Sequence, residues 1–294
     1  MTRAPFKPDR KQPSKAAKKR VKSLFDPDAL AKICTLDDFS EYAPRYDIGD
    51  DRFGLERFFH YKDNGSQILA VAHLDTVQKD GTCRIIDTAA GLLVTSGKLD
   101  DRLGAYVILD LLPKMGINCD ILLTTNEEMA QSTARYFDPP KDYNWMIEFD
   151  RGGTDVVMYQ YESDDMVKLV EECGARVGTG SYSDIADLDD LEVVGFNWGV
   201  GYQEYHSARS HAWLEDTFRM VARFEKFYNA NAERYLPFEY PEIDLEGEWK
   251  GPLAWDDHWT FVADCGHEVN GADTDSFIDM LDNKTICRAC GTAA

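Results

Sequence analysis

Long apolar runs are missing from this sequence. Stretches such as Ile68-Leu-Ala-Val-Ala72 stop after five residues, far short of the roughly 20 needed to cross a bilayer as a helix. The first two dozen residues also lack the hydrophobic block of a secretory signal. These absences lead to the expectation of a cytoplasmic protein with no membrane partner, whose seven cysteines do not serve as a disulfide framework. Positive charge is scarce too: 32 Lys/Arg face 53 Asp/Glu, for a net charge of −21. Such an acidic body argues against broad nucleic-acid binding.

The deficit of bases is uneven. Residues 1–24 hold nine of them with one acid and three prolines. They read as a disordered basic arm. It can contact nucleic acid or another acidic partner, act as a solubilising tail, or fold against the acidic remainder. Apolar side chains are plentiful beyond it, 44% overall with 12% aromatic. A chain of 294 residues therefore suits one large domain plus a small appendage.

The organising stretch is Val71-Ala-His-Leu-Asp-Thr-Val77. It closes the short, β-prone run from Ile68, which follows the turn signal Asn64-Gly65. A strand of this kind belongs in a mostly parallel sheet, where functional groups gather at the carboxyl ends. His73 and Asp75 stand there. Alternation puts them on one face, so the carboxylate can fix the imidazole tautomer and make it a better metal ligand. Taken alone, the pair reads first as a strand-end histidine with a turn aspartate.

Further acidic sets follow the same rule. Asp100-Asp101 opens an apolar helical pattern through Leu112, Glu127-Glu128 follows the run Ile121-Leu-Leu123, and Asp150 ends Trp145-Met-Ile-Glu-Phe149. One acidic pair is ordinarily a helix cap or a solvated turn. Several at element ends would crowd carboxylates at one sheet edge, where they repel unless they hold cations.

The ordered set HLD at 73–75, LDDRLGA from Leu99, NEE at 126–128, EFDRGG from Glu148 and GYQEYHS from Gly201 resembles the di-zinc exopeptidase superfamily. That group includes aminopeptidases, carboxypeptidases and related amidohydrolases. The resemblance implies an α/β fold, a mixed, mostly parallel sheet flanked by helices. It also implies two catalytic Zn²⁺ ions: His73 and Asp150 hold one, Glu128 and His206 the other, and Asp100 bridges both. Asp75 would orient His73 and Glu127 would be the general base, with a cis peptide after Asp100. His211 competes for the last ligand position, but Tyr-x-x-x-His-Ser from Tyr202 fits the pattern at His206. Ser183, Asp184 and Tyr202 would lie near the substrate, although a capping role for Ser183 and Asp184 fits equally.

The chemistry asks for such residues in its own right. Two close metal ions can share a hydroxide and polarise a carbonyl, nitrogen and oxygen ligands suit zinc, and a carboxylate left uncoordinated can move the water's proton. Many members of the superfamily insert a lid between the Asp150-type and His206-type ligands. Here 55 residues separate those positions, too few for an added domain. The chain therefore resembles the compact, lidless branch. A peptide or N-acylated small molecule is the expected substrate, and an aminopeptidase the expected activity. The alternatives are a carboxypeptidase or deacylase, or a non-catalytic recognition protein on the same fold.

Elsewhere the patterning predicts short helices around Leu30–Ile33 and Leu36–Phe39, a strand at Phe58–Tyr61 and a hairpin from Arg84–Asp87 to Leu92–Thr95. Further along it predicts strands ending at Thr125 and Phe149, a run at Val156–Tyr161, a helix at Met166–Cys173 and a strand at Val193–Phe196. A last helix spans Trp213–Tyr235, with an aromatic stripe that reads as core. His60 matches no motif and reads as a structural or surface residue. The hydrolase domain is expected over 25–238, with a linker over 239–254.

In the remaining segment, 255–294, Cys265-Gly-His267 and Cys287-Arg-Ala-Cys290 resemble the two halves of a small zinc ribbon. So short a segment needs a staple to be stable, and a structural zinc would supply it. Cys34, Cys83, Cys119 and Cys173 are scattered and read as ordinary thiols. Elemental analysis should find about three zincs per chain, the thiolate-rich one resisting mild chelation longest. Replacing Cys287 and Cys290 together by Ser should remove one zinc and leave two. Two zincs in the unaltered chain, both lost on changing His73 and His206, would mean that the C-terminal cysteines hold none.

Overall fold

The computed structural model describes residues 14–49 and 55–240, and five backbone strands beyond them. In chain order the elements begin with α1 (Lys15–Leu24), α2 (Pro27–Thr35), β1 (Arg45–Asp47), β2 (Phe58–Lys62), β3 (Ile68–His73), β4 (Arg84–Thr88) and β5 (Gly91–Thr95). Next come α3 (Leu99–Tyr106), a π-helical continuation Val107–Leu111, α4 (Leu112–Lys114), β6 (Asp120–Thr124), β7 (Trp145–Glu148) and β8 (Val156–Val157). Then follow α5 (Asp164–Glu172), β9 (Gly195–Trp198), β10 (Tyr202–Gln203), β11 (His211–Trp213) and α6 (Leu214–Asn231).

A seven-stranded sheet in the order β1-β2-β6-β3-β7-β9-β8 forms the centre. Its inner strands β6, β3, β7 and β9 are parallel, and the outer pairings are antiparallel. All six residues of β3 are buried, as expected of a strand covered on both faces. The chain passes from β3 to β6 on one side and then jumps back across β3 to β7. The carboxyl end of β3 is thus a switch point of the sheet, where a crevice opens between diverging connections. His73 is its last residue.

One face is covered by α6, whose Phe224 and Phe227 meet Trp145 and Trp198 edge-on at centroid distances of 5.3–6.3 Å. Phe196 with Phe227 is closer, at 4.8 Å. The stripe is core, as its spacing predicts. A second sheet, β10-β11-β5-β4, leads directly into α6. Asp26 caps α2 by accepting from the amides of Asp28 and Ala29, and Pro27 follows at the first helical position. His60 is buried with Nδ1 2.9 Å from the Ala43 carbonyl, a structural residue.

Three segments depart from the sequence expectation. Leu36–Phe39, expected as a short helix, is non-helical backbone after α2 stops at Thr35. Residues 15–24 of the basic arm are helical, not disordered. Val21 is buried, and Arg20 pairs with Glu225 of α6 at 2.6 Å. The acidic body supplies a counter-charge to the arm, and Val21 and Leu24 pack against the core. The run Val156–Tyr161 holds only a two-residue strand before turning at Tyr159, whose φ is 50°. Contacts divide the chain into units 1–239 and 240–294. In the second, β12 (Thr260–Val262) pairs with β13 (Glu268–Asn270), and β14 (Ser276–Asp279), β15 (Lys284–Cys287) and β16 (Thr292–Ala293) form a small antiparallel sheet. Cys265, His267 and Cys290 lie outside the described residues, as does the side chain of Cys287.

Arg102 of α3 joins the layers. Its guanidinium is buried, lies over the ring of Phe39, and donates to the carbonyls of Ile33, Leu36 and Leu74. Leu74 separates His73 from Asp75, so this contact sets the exit of β3. Arg102→Met should cost about 3 kcal/mol in urea unfolding by stranding these acceptors. Arg102→Lys should recover little, because a point ammonium cannot reach all three carbonyls.

Candidate metal centre

Each functional group arrives from a strand end or the turn after it. β3 delivers His73 and Asp75, and the start of α3 delivers Asp100. The turn after β6 delivers Glu127 and Glu128, the exit of β7 delivers Asp150, and the loop between β10 and β11 delivers His206. His73 Nε2 lies 3.2 Å from Asp100 Oδ1, 3.6 Å from Glu127 Oε2 and 3.7 Å from Asp150 Oδ2. His206 Nε2 lies 3.1 Å from Asp100 Oδ2 and 2.7 Å from Glu128 Oε2. The two oxygens of Asp100 therefore face different histidines. The Asp100–Asp101 peptide is cis, the conformation the resemblance implied.

These separations, 2.7–3.7 Å, bracket the spacing of a ligand cage. Nitrogen and oxygen donors held at about 2.0–2.2 Å around a tetrahedral ion stand roughly 3.3–3.6 Å from each other. His73, Glu127 and Asp150 form one such group, and His73, Asp100 and Glu128 a second, each with ligand atoms within 4.8 Å of one another. Glu128 Oε1 is buried without a hydrogen-bond partner, an acceptor that a cation would satisfy. Imidazole with carboxylates is a donor set suited to a divalent ion. The residues present thus fit a metal site.

Supporting contacts fix the cage. Asp75 accepts the amide hydrogens of Glu127 and Glu128 at 3.2 and 3.1 Å, so it anchors their turn to β3. Nδ1 of His73 is nearer the backbone carbonyl of Asp75, at 3.0 Å, than the carboxylate, at 3.5 Å. Orientation of the ring is therefore shared between the two. Asn126 brackets the same turn, with left-handed φ of 64° and hydrogen bonds to both backbone groups of Glu56. Asn197 of β9 holds both backbone groups of Asp150, and Tyr202 donates to Asp150 Oδ1 at 2.7 Å. The His206 loop takes left-handed turns at Glu204 and His206, φ 51° and 57°. It is closed by Ser207 and Arg209 on Glu204 and by Gln78 on the His206 carbonyl.

Charge crowding is heavy. Burial pushes the Glu127 carboxyl up to about 9, with Asp150 adding to the rise against His73. Burial and then Asp100 push Glu128 up to about 7. Burial raises Asp100, with Asp150 adding, and carries Asp101 and Glu148 well above the usual carboxylate range. His73 is raised as well: burial opposes its charge, but Asp150, Asp100 and Asp75 hold it well above the ordinary imidazole value.

A cleft of about 580 Å³ opens over these groups, lined by Asp100, Glu127, Glu128, Asp150 and His206 on one side. His211 is not among its lining residues; it is a buried residue of β11 with Nδ1 3.0 Å from the Arg209 carbonyl. Ser183 and Asp184 are fully buried. Asp184 accepts from Thr124 at 2.6 Å and from Ser132, and Ser183 Oγ accepts from Asn197. The side chains that line the cleft from this segment are Ser181 and Tyr182, together with Gly180. Tyr202 does line it, with its hydroxyl engaged by Asp150. Arg151, Tyr159, Ser181, Tyr182 and Asn197 were not singled out from the sequence. The glycine-rich loop at 178–184 and the Arg in EFDRGG were the available signals.

No protein-family model matches the sequence, and no match is found among curated proteins. Among solved structures, the chain resembles a tripeptidase from Staphylococcus aureus with a TM-score of 0.53 and 10% identity, over 70% of this chain and 98% of that one. An aminopeptidase PepT from Bacillus cereus aligns at a TM-score of 0.49 and 10% identity, over 69% and 98%. The first similarity places the chain in the same α/β fold as the tripeptidase.

The raised groups imply a definite pH dependence. An acid whose folded pKa is raised stabilises the folded state only while protonated, so its contribution falls as pH rises from the unfolded value through the folded one. Asp184, pushed up to about 6 by burial, and Glu128 act over roughly pH 4–7. His73, also raised, loses its stabilisation as pH climbs through its folded value. Asp75 and Asp150, held low by His73 against burial, act in the opposite sense but below about pH 4. Metal-stripped protein should therefore melt roughly 5 °C or more lower at pH 7.5 than at pH 5.5. Zn²⁺ should cancel the difference. Scanning calorimetry that shows stability rising with pH after chelation would contradict this account.

Proposed function

We propose that the chain is a hydrolase of peptide or related amide bonds, acting through two divalent cations held in this cleft. The observation that carries the reading is Asp100, whose two carboxylate oxygens stand 3.2 Å from His73 and 3.1 Å from His206. One carboxylate shared between two histidine-containing groups is the arrangement a bridged metal pair needs. His73 and Asp150 would hold one ion, Glu128 and His206 the other. Zinc fits the nitrogen and oxygen donors. Bound there, the pair would polarise the scissile carbonyl and acidify a water.

The chain's own residues do the rest. Glu127 stands beside the ligands and reaches into the cleft, so it is placed to take the water's proton and return it to the leaving amine. Its pKa, about 9 without cations, would fall beside them and bring it into the range of a working base. Tyr202 and Asn197 hold Asp150, and Asp75 holds the turn that carries Glu127. The compact architecture supports an aminopeptidase first. Glu127 beside Glu128 argues against a purely recognitional protein, because a structural metal site needs no spare base.

Glu127→Gln removes the base and keeps the shape. Two metals should remain in the cleft, while hydrolysis of a peptide library, followed by mass spectrometry, falls by roughly 10²–10⁴-fold. Turnover near that of the unaltered chain would refute the assignment. Loss of a metal would instead make Glu127 a ligand, a role that its 3.6 Å distance from His73 Nε2 allows.

A further inference from the structure

The wall of the cleft beside Asp150 carries a feature the metal centre does not use. Arg151 Nε and Nη2 fork onto Asp155 at 2.7 and 3.1 Å. Nη1 makes no protein hydrogen bond among the described residues, and Arg151 lines the cleft. The pair is held by close-fitting glycines. A Cβ at Gly178 would come within 2.0 Å of Asp155 Oδ2, and one at Gly153 within 2.3 Å of Oδ1. At Gly180 a Cβ would stand 3.4 Å from Arg151 Nη1 and against Val157 and Tyr159. None of these three glycines has a left-handed φ, so it is room beside the pair, not backbone conformation, that a side chain would take away.

On this basis we infer that Arg151 is a specificity-determining residue that binds a free carboxylate of the substrate. The inference rests on the reading of the cleft as an amide hydrolase's. Asp155 occupies one edge of the guanidinium and fixes its plane, so the remaining N–H groups are presented with little ordering cost. A planar guanidinium edge matches a carboxylate. The other charged side chains lining the cleft are Asp100, Glu127, Glu128 and Asp150, with His206. Away from the metal ions, Arg151 is the place where an anionic group would be attracted and not repelled. The carboxylate can be the C-terminus of a short peptide or an acidic side chain next to the scissile bond. The chemistry at Arg151 is the same for both.

Two matched pairs separate these sources: Leu-Gly-Gly against its C-terminal amide, and Glu-Gly-amide against Gln-Gly-amide. One charged member should be preferred over its neutral partner by about tenfold or more in kcat/KM, expressed in KM. Arg151→Gln should shrink that preference to about twofold while the neutral substrates keep their rates, and Arg151→Lys should retain part of it. Equal use of both members in both pairs, or an equal loss on charged and neutral substrates, would overturn the inference. A binding measurement stands apart from hydrolysis. Calorimetric titration of the zinc-loaded chain should show glutarate binding more tightly than neutral glutaramide, with Arg151→Gln weakening glutarate alone by about tenfold. If no peptide is cleaved, the hydrolase reading fails and this titration still decides the role of Arg151. Glutarate binding equally to both chains would remove it.

Discussion

Mutual repulsion among carboxylates gathered at the end of β3 is the constraint on which the rest of this structure depends. Asp100, Glu127, Glu128 and Asp150 converge on two histidines, and Asp101 and Glu148 lie buried close behind. Buried like charges of this density are costly, and burial raises most of their pKa values. The fold answers with geometry. Strand ends place the groups, and neutral or backbone donors hold Asp75 and Asp150, while Glu148 and one oxygen each of Asp101 and Glu128 are buried without a hydrogen bond among the described residues. The amides of Glu127 and Glu128 serve Asp75, Asn197 brackets Asp150, and the Tyr202 hydroxyl reaches the same aspartate. Cations would supply the charge that these contacts do not.

Support for that arrangement comes from well outside it. Arg102 joins α2 to the exit of β3 through three carbonyls, and the aromatic face of α6 secures β7 and β9 from beneath. The His206 loop is the least enclosed part. The His206 side chain is 45% exposed, and its position depends on Gln78 and on contacts within the loop. One half of the centre is thus set into a rigid sheet, and the other half stands on a surface loop.

Much of the fold was legible because period and punctuation agreed. The apolar run from Ile68, the hairpin with its glycine turn, the runs ending at Thr125 and Phe149, and the aromatic stripe of α6 all appear near their expected bounds. The departures have physical causes. Val156–Tyr161 has strand-like composition, yet it pairs with β9 through two residues before Tyr159 turns away. The basic arm lacks apolar runs, but residues 15–24 form a helix with Val21 buried, Leu24 packed on the core and Arg20 paired with Glu225 of α6. Ser183 and Asp184 belong to a polar segment near the cleft. Local sequence does not reveal that Thr124 and Ser132 turn Asp184 inward.

By itself the sequence determined the chemical types and their order: a histidine at a strand end, acidic residues at successive element ends, and a second histidine late in the chain. Periodicity is a local property, so it could place those residues at the tips of elements. Only the tertiary structure decided which of their atoms meet. It turned the two oxygens of Asp100 toward different histidines, chose His206 over His211 for the cleft, and left one edge of Arg151 open while Asp155 filled the other. Those outcomes depend on strand order and on loops packed from distant parts of the chain, and no local window of residues encodes them.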